Sequence, residues 1–153
     1  MWRVGPLLVI LAASGLTAGA WAARAEFDVA ATLGWQQVVP RPSHPVKRAS
    51  GSLSGSLDHQ KRELSWKLVY RGLSGRPTRA EIRVGKLGRR GPLMLSLCGP
   101  EVVKARVCKS GLTGTVTVSK ASVLILEAGN TYVQLYTRRN PRGELRGQIL
   151  IKR

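Results

Sequence analysis

From Asn130 to Arg153 the chain alternates. Val133, Leu135 and Thr137 are interleaved with Tyr132, Gln134 and Tyr136, and Leu145, Ile149 and Ile151 with Glu144, Arg146, Gln148 and Lys152. A period of two puts one set of side chains on one face of an extended backbone, whereas a helix would scatter them. Between the two runs, Asn140-Pro141-Arg142-Gly143 suits a type I turn. Asn bonds back to the backbone at the first position, Pro presets the next φ, and Gly takes the fourth. The stretch reads as two strands folded over a tight turn.

The same pattern recurs upstream. In Glu63 to Arg71, Leu64, Trp66, Leu68 and Tyr70 share one face, and Ser65, Lys67 and Arg71 the other. That is the apolar-in, polar-out habit of an antiparallel sheet with one wet side, and it assigns Trp66 to the core. Residues 26 to 33 form a first strand with Phe27, Val29, Ala31 and Leu33 on one face. Thr78 to Val84 turns Ala80, Ile82 and Val84 inward and Arg79, Glu81 and Arg83 outward, and Leu93 to Cys98 and Leu112 to Val118 add two more strands. The Gly/Ser-rich run Ser50 to Leu57 has weak preference and is expected as an edge strand or turn. Pro40, Pro42 and Pro45 hold Trp35 to Ala49 in a loop, and Asp58 to Arg62 is a polar turn that leaves His59 solvated. About seven short strands separated by turn signals predict an all-β fold, an antiparallel β-sandwich or barrel.

Residues 1 to 25 fit a secretory signal peptide: Arg3, an apolar core from Leu7 to Leu16, and small-x-small sites ending at Ala22 and Ala25. An uncleaved anchor is the alternative, since Val4 to Ala23 is uncharged and long enough to span a bilayer. The expected product is one exported domain, residues 26 to 153, periplasmic or extracellular. Cys98 and Cys108 are the only cysteines. In an exported chain such a pair predicts a structural disulfide, worth roughly 2 to 3 kcal/mol for so short a loop. Nine residues separate them, which is not the CxxC spacing of a redox site.

The run Gly129-Asn130, Tyr132-Val133, Thr137, Asn140-Pro141, Gly143-Glu144 and Arg146-Gly147-Gln148-Ile149 resembles the end of a CHRD domain, the module named after chordin and also present in bacterial exported proteins. Thr32-Leu33-Gly34 with Pro40 is similar to the family's opening strand, with Gln37 where an acidic residue is usual. Leu64 to Leu73 and Ala80-Glu81-Ile82-Arg83 are similar to its central strands, so the likeness spans roughly residues 27 to 151. The resemblance implies an immunoglobulin-like or Greek-key shape. It also favours a short helical turn over a strand at residues 119 to 128. Asn140, Pro141, Gly143, Glu144, Arg146 and Gly147 match the motif and are given structural roles in supporting the turn. The family commonly carries a His-x-His pair and a third His, suited to a divalent metal. Those positions here are Glu81, Arg83 and Tyr136, and the only histidines are His44 and His59, in expected loops. No metal and no cofactor is assigned.

Catalytic motifs are absent too: no GxSxG frames a serine, no GxxxxGK[ST] loop occurs, and the eight carboxylates are scattered. Charge is what remains. Removal of residues 1 to 25 takes away Arg3 and Arg24 and no acid, leaving +15 of the chain's +17 over 128 residues. Nine basic residues lie between Arg76 and Lys109 against Glu81 and Glu101, and six between Arg138 and Arg153 against Glu144. If the two segments adjoin, Arg79, Arg83, Arg89, Arg90, Arg138, Arg139 and Arg142 form a patch for an anionic ligand, which guanidinium forks bind two-point. The leading expectation is an exported, non-enzymatic binding or scaffolding module engaging an anionic envelope polymer, an acidic glycan or lipopolysaccharide. A small-molecule substrate and a specific nucleic acid are not expected. Two alternatives stay open. One is a structural domain that binds another envelope protein and whose charge is incidental. The other is a degenerate metal-dependent oxidoreductase-like sandwich.

Overall fold

Nine strands build two antiparallel sheets that face each other across a shared apolar interior. The computed structural model describes residues 26–102 and 106–152. The signal-peptide reading of residues 1 to 25, with its cleavage and anchor alternatives, lies outside them, as do Lys104 and Arg153 from the charge count. The strands are β1 (Glu26–Leu33), β2 (Ser50–Asp58), β3 (Glu63–Arg71), β4 (Pro77–Val84), β5 (Leu93–Cys98), β6 (Leu112–Thr117), β7 (Thr131–Thr137), β8 (Leu145–Gln148) and β9 (Leu150–Lys152). Among the described residues one α-helix, α1 (Lys120–Glu127), precedes β7, and a single 3-10 turn, Trp35–Gln37, follows β1. The five-stranded sheet has the order β6-β3-β2-β1-β9 and the four-stranded sheet the order β5-β4-β7-β8. The all-β sandwich expected from the alternation is therefore present, with more strands than the seven foreseen.

The alternation sets the interior. Val29, Ala31, Leu53, Leu57, Leu64 and Leu68 from one sheet meet Ala80, Ile82, Val133, Leu135 and Leu145 from the other, all buried. Trp66 is 6% exposed and belongs to this core. It stands in register with Gly55 on one side and Gly114 on the other, and a Cβ on Gly114 would collide with the indole. The missing side chain of Gly114 leaves the space that the large ring fills. This explains the one misplaced strand. The Gly/Ser run expected at an edge is β2, hydrogen-bonded on both sides, because pairing and the burial of Leu53 and Leu57 outweigh its weak propensity.

The C-terminal run also departs from expectation. Rather than one strand returning from the turn, it is two: β8 pairs with β7, and after Ile149 β9 pairs with β1 in the opposite sheet. Gly147 permits the crossing, since a Cβ there would lie 2.5 Å from the Thr32 carbonyl oxygen. The helical turn is as expected, capped by the Ser119 hydroxyl, which accepts from the Ser122 amide at 3.0 Å. It buries Val123 and Leu126 and ends at Gly129 with φ 69°. Cys98 and Cys108 form the expected disulfide, their Cα atoms 5.2 Å apart. His59 is exposed, as expected, and its Nδ1 lies 2.6 Å from Glu127 Oε1 at the end of α1, a partner the sequence did not indicate.

A candidate anion-binding cleft

Turning Ala80, Ile82, Val133, Leu135 and Leu145 inward leaves the opposite face of β4, β7 and β8 to polar side chains. The register aligns them: Arg79 with Tyr136, Glu81 with Gln134, and Arg83 with Tyr132 across β4 and β7. Gln134 with Arg146 and Tyr132 with Gln148 continue the rows onto β8. The β7 part of this outer face is not wet. Every residue of β7 is buried, because β7 is central and loops cover its outer side.

Glu81 sits at the middle of the β4 part of this layer. The sequence placed it outward, and it does point away from the core, but it is only 4% exposed. Its burial is tolerable because two cations hold it. Arg79 Nε lies 3.0 Å from Oε1, and Arg83 Nη1 donates to Oε2 at 2.6 Å. Arg83 also donates from Nε to the Gly91 carbonyl at 2.9 Å. Burial opposes the Arg83 charge, but the Glu81 carboxylate, through its hydrogen bond and its charge, leaves the pKa raised. The Arg79 guanidinium lies 4.0 Å above the centre of the Tyr136 ring, a cation–π contact. Burial first, then the Glu81 carboxylate, pushes the Tyr136 phenol up to about 12, so it is a neutral hydrogen-bond donor at any physiological pH.

A second stack lies beside it, toward β8. Arg146 is fully buried, its guanidinium carbon 3.5 Å from the centre of the Tyr132 ring. Nη2 donates to the Lys86 carbonyl at 2.9 Å, while Nε and Nη1 have no protein acceptor among the described residues. No carboxylate there pairs with it, and burial lowers its pKa. A motif residue expected to support the turn is thus also a buried positive charge behind the tyrosine layer.

Above these rows lies a cleft of about 290 Å³. Arg79, Arg83, Tyr132, Gln134 and Tyr136 line it from the sheet, and Arg90 and Arg142 line it from the two neighbouring loops, with Val39 and Pro141. Gln134 fixes the far wall, donating from Nε2 to the Arg142 carbonyl at 2.9 Å. Gly143 allows this contact, since its φ is 125° and a Cβ would run into the Gln134 amide. The turn carrying Arg142 is held from behind. The Asn140 side chain accepts from the His44 amide and donates to its carbonyl, and Gly143 closes the turn onto the Asn140 carbonyl at 3.0 Å. The sequence had Asn140 bonding back to its own turn. Its side chain instead clamps a loop 96 residues away.

Four arginines line the cleft and one carboxylate lies among them. Arg90 and Arg142 make no ion pair among the described residues. Of the seven arginines expected to form one patch, four converge here: Arg79, Arg83, Arg90 and Arg142. Arg138 and Arg139 do not; they lie beyond the turn and line a separate groove. Arg89 is exposed on the neighbouring loop and lines neither. The single patch divides because the turn stands between its two parts. Sequence reasoning gave Tyr132 and Gln134 no site role. Their signal was present: a strand whose polar alternates are Tyr, Gln and Tyr rather than charged residues suits a central strand covered on both faces.

A family model described as the CHRD domain matches residues 29–149. The chain belongs to the CHRD domain family. Neither a curated protein nor a solved structure matches it. In this CHRD domain the match runs from β1 to Ile149 and so includes every cleft residue. Glu81, Arg83 and Tyr136, which stand where the family resemblance puts histidines, do come together around the cleft floor. They do not suit a metal: the one carboxylate is bound by two guanidinium groups, whose charge would repel a cation. Among the described residues no three His, Cys, Asp or Glu side chains gather in a way that could hold an ion.

Proposed function

We propose that this CHRD domain is an exported, non-enzymatic binding module whose cleft takes an anionic group of an envelope polymer, an acidic glycan or lipopolysaccharide. One observation carries the reading. Arg90 and Arg142 face a polar cleft without acidic partners, above a floor of Arg79, Arg83, Gln134 and Tyr136 that internal bonds already hold in place. Preorganised donors lose little freedom on binding, and an arginine fork meets a carboxylate, sulfate or phosphate at two points. The buried Arg146 charge adds attraction from behind. The disulfide supports export, since such bonds persist in oxidising compartments. Among the described residues no helix is long and apolar enough to cross a membrane. The reading assigns no catalytic residue and no cofactor.

Retention on immobilised heparin or lipopolysaccharide tests it. Wild type should elute at a salt concentration that Arg90→Glu/Arg142→Glu lowers sharply, with unchanged thermal stability. Equal elution of the two proteins removes the cleft from the function.

The alternative, a domain that binds another envelope protein, has its own feature. An apolar groove lined by Leu93, Met94, Leu95, Trp66 and Val116 lies where the edge strands β5 and β6 meet, and Leu93 is exposed. A crosslinked envelope partner that survives high salt and is lost in Leu93→Glu would favour this second reading.

A further inference from the structure

We infer that the cleft is one end of a longer basic track, and that its ligand is a linear acidic polysaccharide reaching past the Asn140–Gly143 turn rather than a single small anion. The inference rests on the cleft being an anion site and specifies what fills it.

The second part of the track is built from residues that the cleft does not use. On the far side of the turn, Arg76, Arg138 and Arg139 line a groove of about 670 Å³ with Ser74 and Thr78. Arg139 also borders a shallow depression of about 590 Å³ that holds Lys47 and Arg48. Arg139 lines both, so the two hollows adjoin at its side chain. All five cations are exposed, and none makes an ion pair among the described residues. Among the described residues no carboxylate lines either hollow. The acid closest in sequence, Glu144, is fully buried and bonded by Ser74, Thr137 and Asn140, so it forms no ion pair with these cations.

The cleft and the groove meet at one rigid corner. Arg79 of the cleft follows Thr78 of the groove on β4, and Arg142 follows Arg139 around the turn. The side chain of Asn140 fixes that corner to the 44–48 segment. Unpaired cations on both sides of a fixed corner repel one another, and a polyanion crossing it relieves both sets together. Linking two weak anionic contacts in one chain raises affinity without any new contact.

A sugar chain fits better than a nucleic acid. Single-stranded nucleic acids draw on open aromatic faces for stacking. Here Tyr132 and Tyr136 carry the guanidinium groups of Arg146 and Arg79, and Trp35 carries that of Arg41 at 5.6 Å. What is left exposed along the track is charge and hydroxyl, which suits sulfate or uronate groups.

The test uses the oxidised protein, a heparin-derived tetrasaccharide and dodecasaccharide, and oligo(dT) of matched charge. Two variants are compared: Arg90→Glu/Arg142→Glu in the cleft and Arg76→Glu/Arg138→Glu/Arg139→Glu in the groove. All five substituted positions are exposed, and equal melting temperatures confirm folding. The dodecasaccharide should bind at least about tenfold more tightly than the tetrasaccharide, the gain expected when two sites act together. The groove variant should lose that gain and bind the tetrasaccharide like wild type. A dodecasaccharide affinity unchanged in the groove variant overturns the track while leaving the cleft standing. Tetrasaccharide binding that survives in the cleft variant overturns the cleft reading itself. Oligo(dT) binding as tightly as the dodecasaccharide would overturn the choice of polysaccharide.

Discussion

Glu144 Oε1 accepts the Ser74 amide proton at 2.6 Å, across 70 residues of sequence. The Ser74 hydroxyl, the Thr137 hydroxyl and the Asn140 amide all donate to its other oxygen. Among the described residues no cation pairs with it, and the fully buried charge is held by neutral donors. Burial works against ionisation here, but the Ser74, Thr137 and Asn140 bonds outweigh it and leave the pKa below its ordinary 4.5. A carboxyl whose folded pKa is depressed stabilises the fold above its unfolded value, and that contribution is lost as pH falls through the folded value. Glu144→Gln should therefore lower stability by about 2 to 3 kcal/mol at pH 7, the scale of a broken buried charged network. It should also lose less further stability than wild type on acidification below pH 4.5. Chemical denaturation at pH 7 and pH 3.5 measures both; parallel acid losses in the two proteins would contradict the assignment.

Glu144 also shows what the sequence can convey. Alternation placed β1, β3, β4, β5 and β7 within a residue or two, because a buried face leaves a period-two trace whatever lies opposite. It identified the turn at Asn140 because turn chemistry is local. It could not show that Ser50 to Asp58 is interior, since pairing on both sides is a tertiary fact and the Gly/Ser composition argues the other way. Nor could it show that Glu81 is buried or that Arg138 and Arg142 part company. Both depend on which loops fold over the outer face of β7, and contacts of that separation leave no periodic mark.

Tyr136 supplies a spectroscopic check on the cleft floor. Its phenol should ionise near pH 12, held up by burial and by Glu81. Tyrosine is neutral below its unfolded pKa of about 10, so its stabilising contribution is complete there and fades as pH rises through the folded value. Absorbance titration at 295 nm should show a late transition that Tyr136→Phe removes. A transition of normal position for that residue would mean an open, hydrated cleft floor.

Gly147 bears the crossing between the sheets. Gly147→Ala puts a methyl against the Thr32 backbone, which cannot move without disturbing β1. A loss of about 2 kcal/mol or more is expected, in the range of overpacking. Urea unfolding measures it, and a neutral result would show that the β8-to-β9 crossing has room.

The Cys98–Cys108 bridge closes a separation of 10 residues. Cys98→Ser/Cys108→Ser should cost roughly 2 to 3 kcal/mol through greater freedom of the unfolded chain. It should leave heparin retention intact, because the bridge lies outside the cleft. Lost retention in a folded double mutant would connect the bridge to the binding surface.

The cleft itself is tested most directly by mapping a sulfated tetrasaccharide onto the protein by amide and side-chain chemical shifts. Saturable changes should centre on Arg90, Arg142, Tyr136 and the Gln134 side-chain amide, and should vanish in Arg90→Glu/Arg142→Glu. Small shifts spread evenly over exposed basic residues such as Lys61, Lys67 and Lys109, persisting in the double variant, would contradict a defined site.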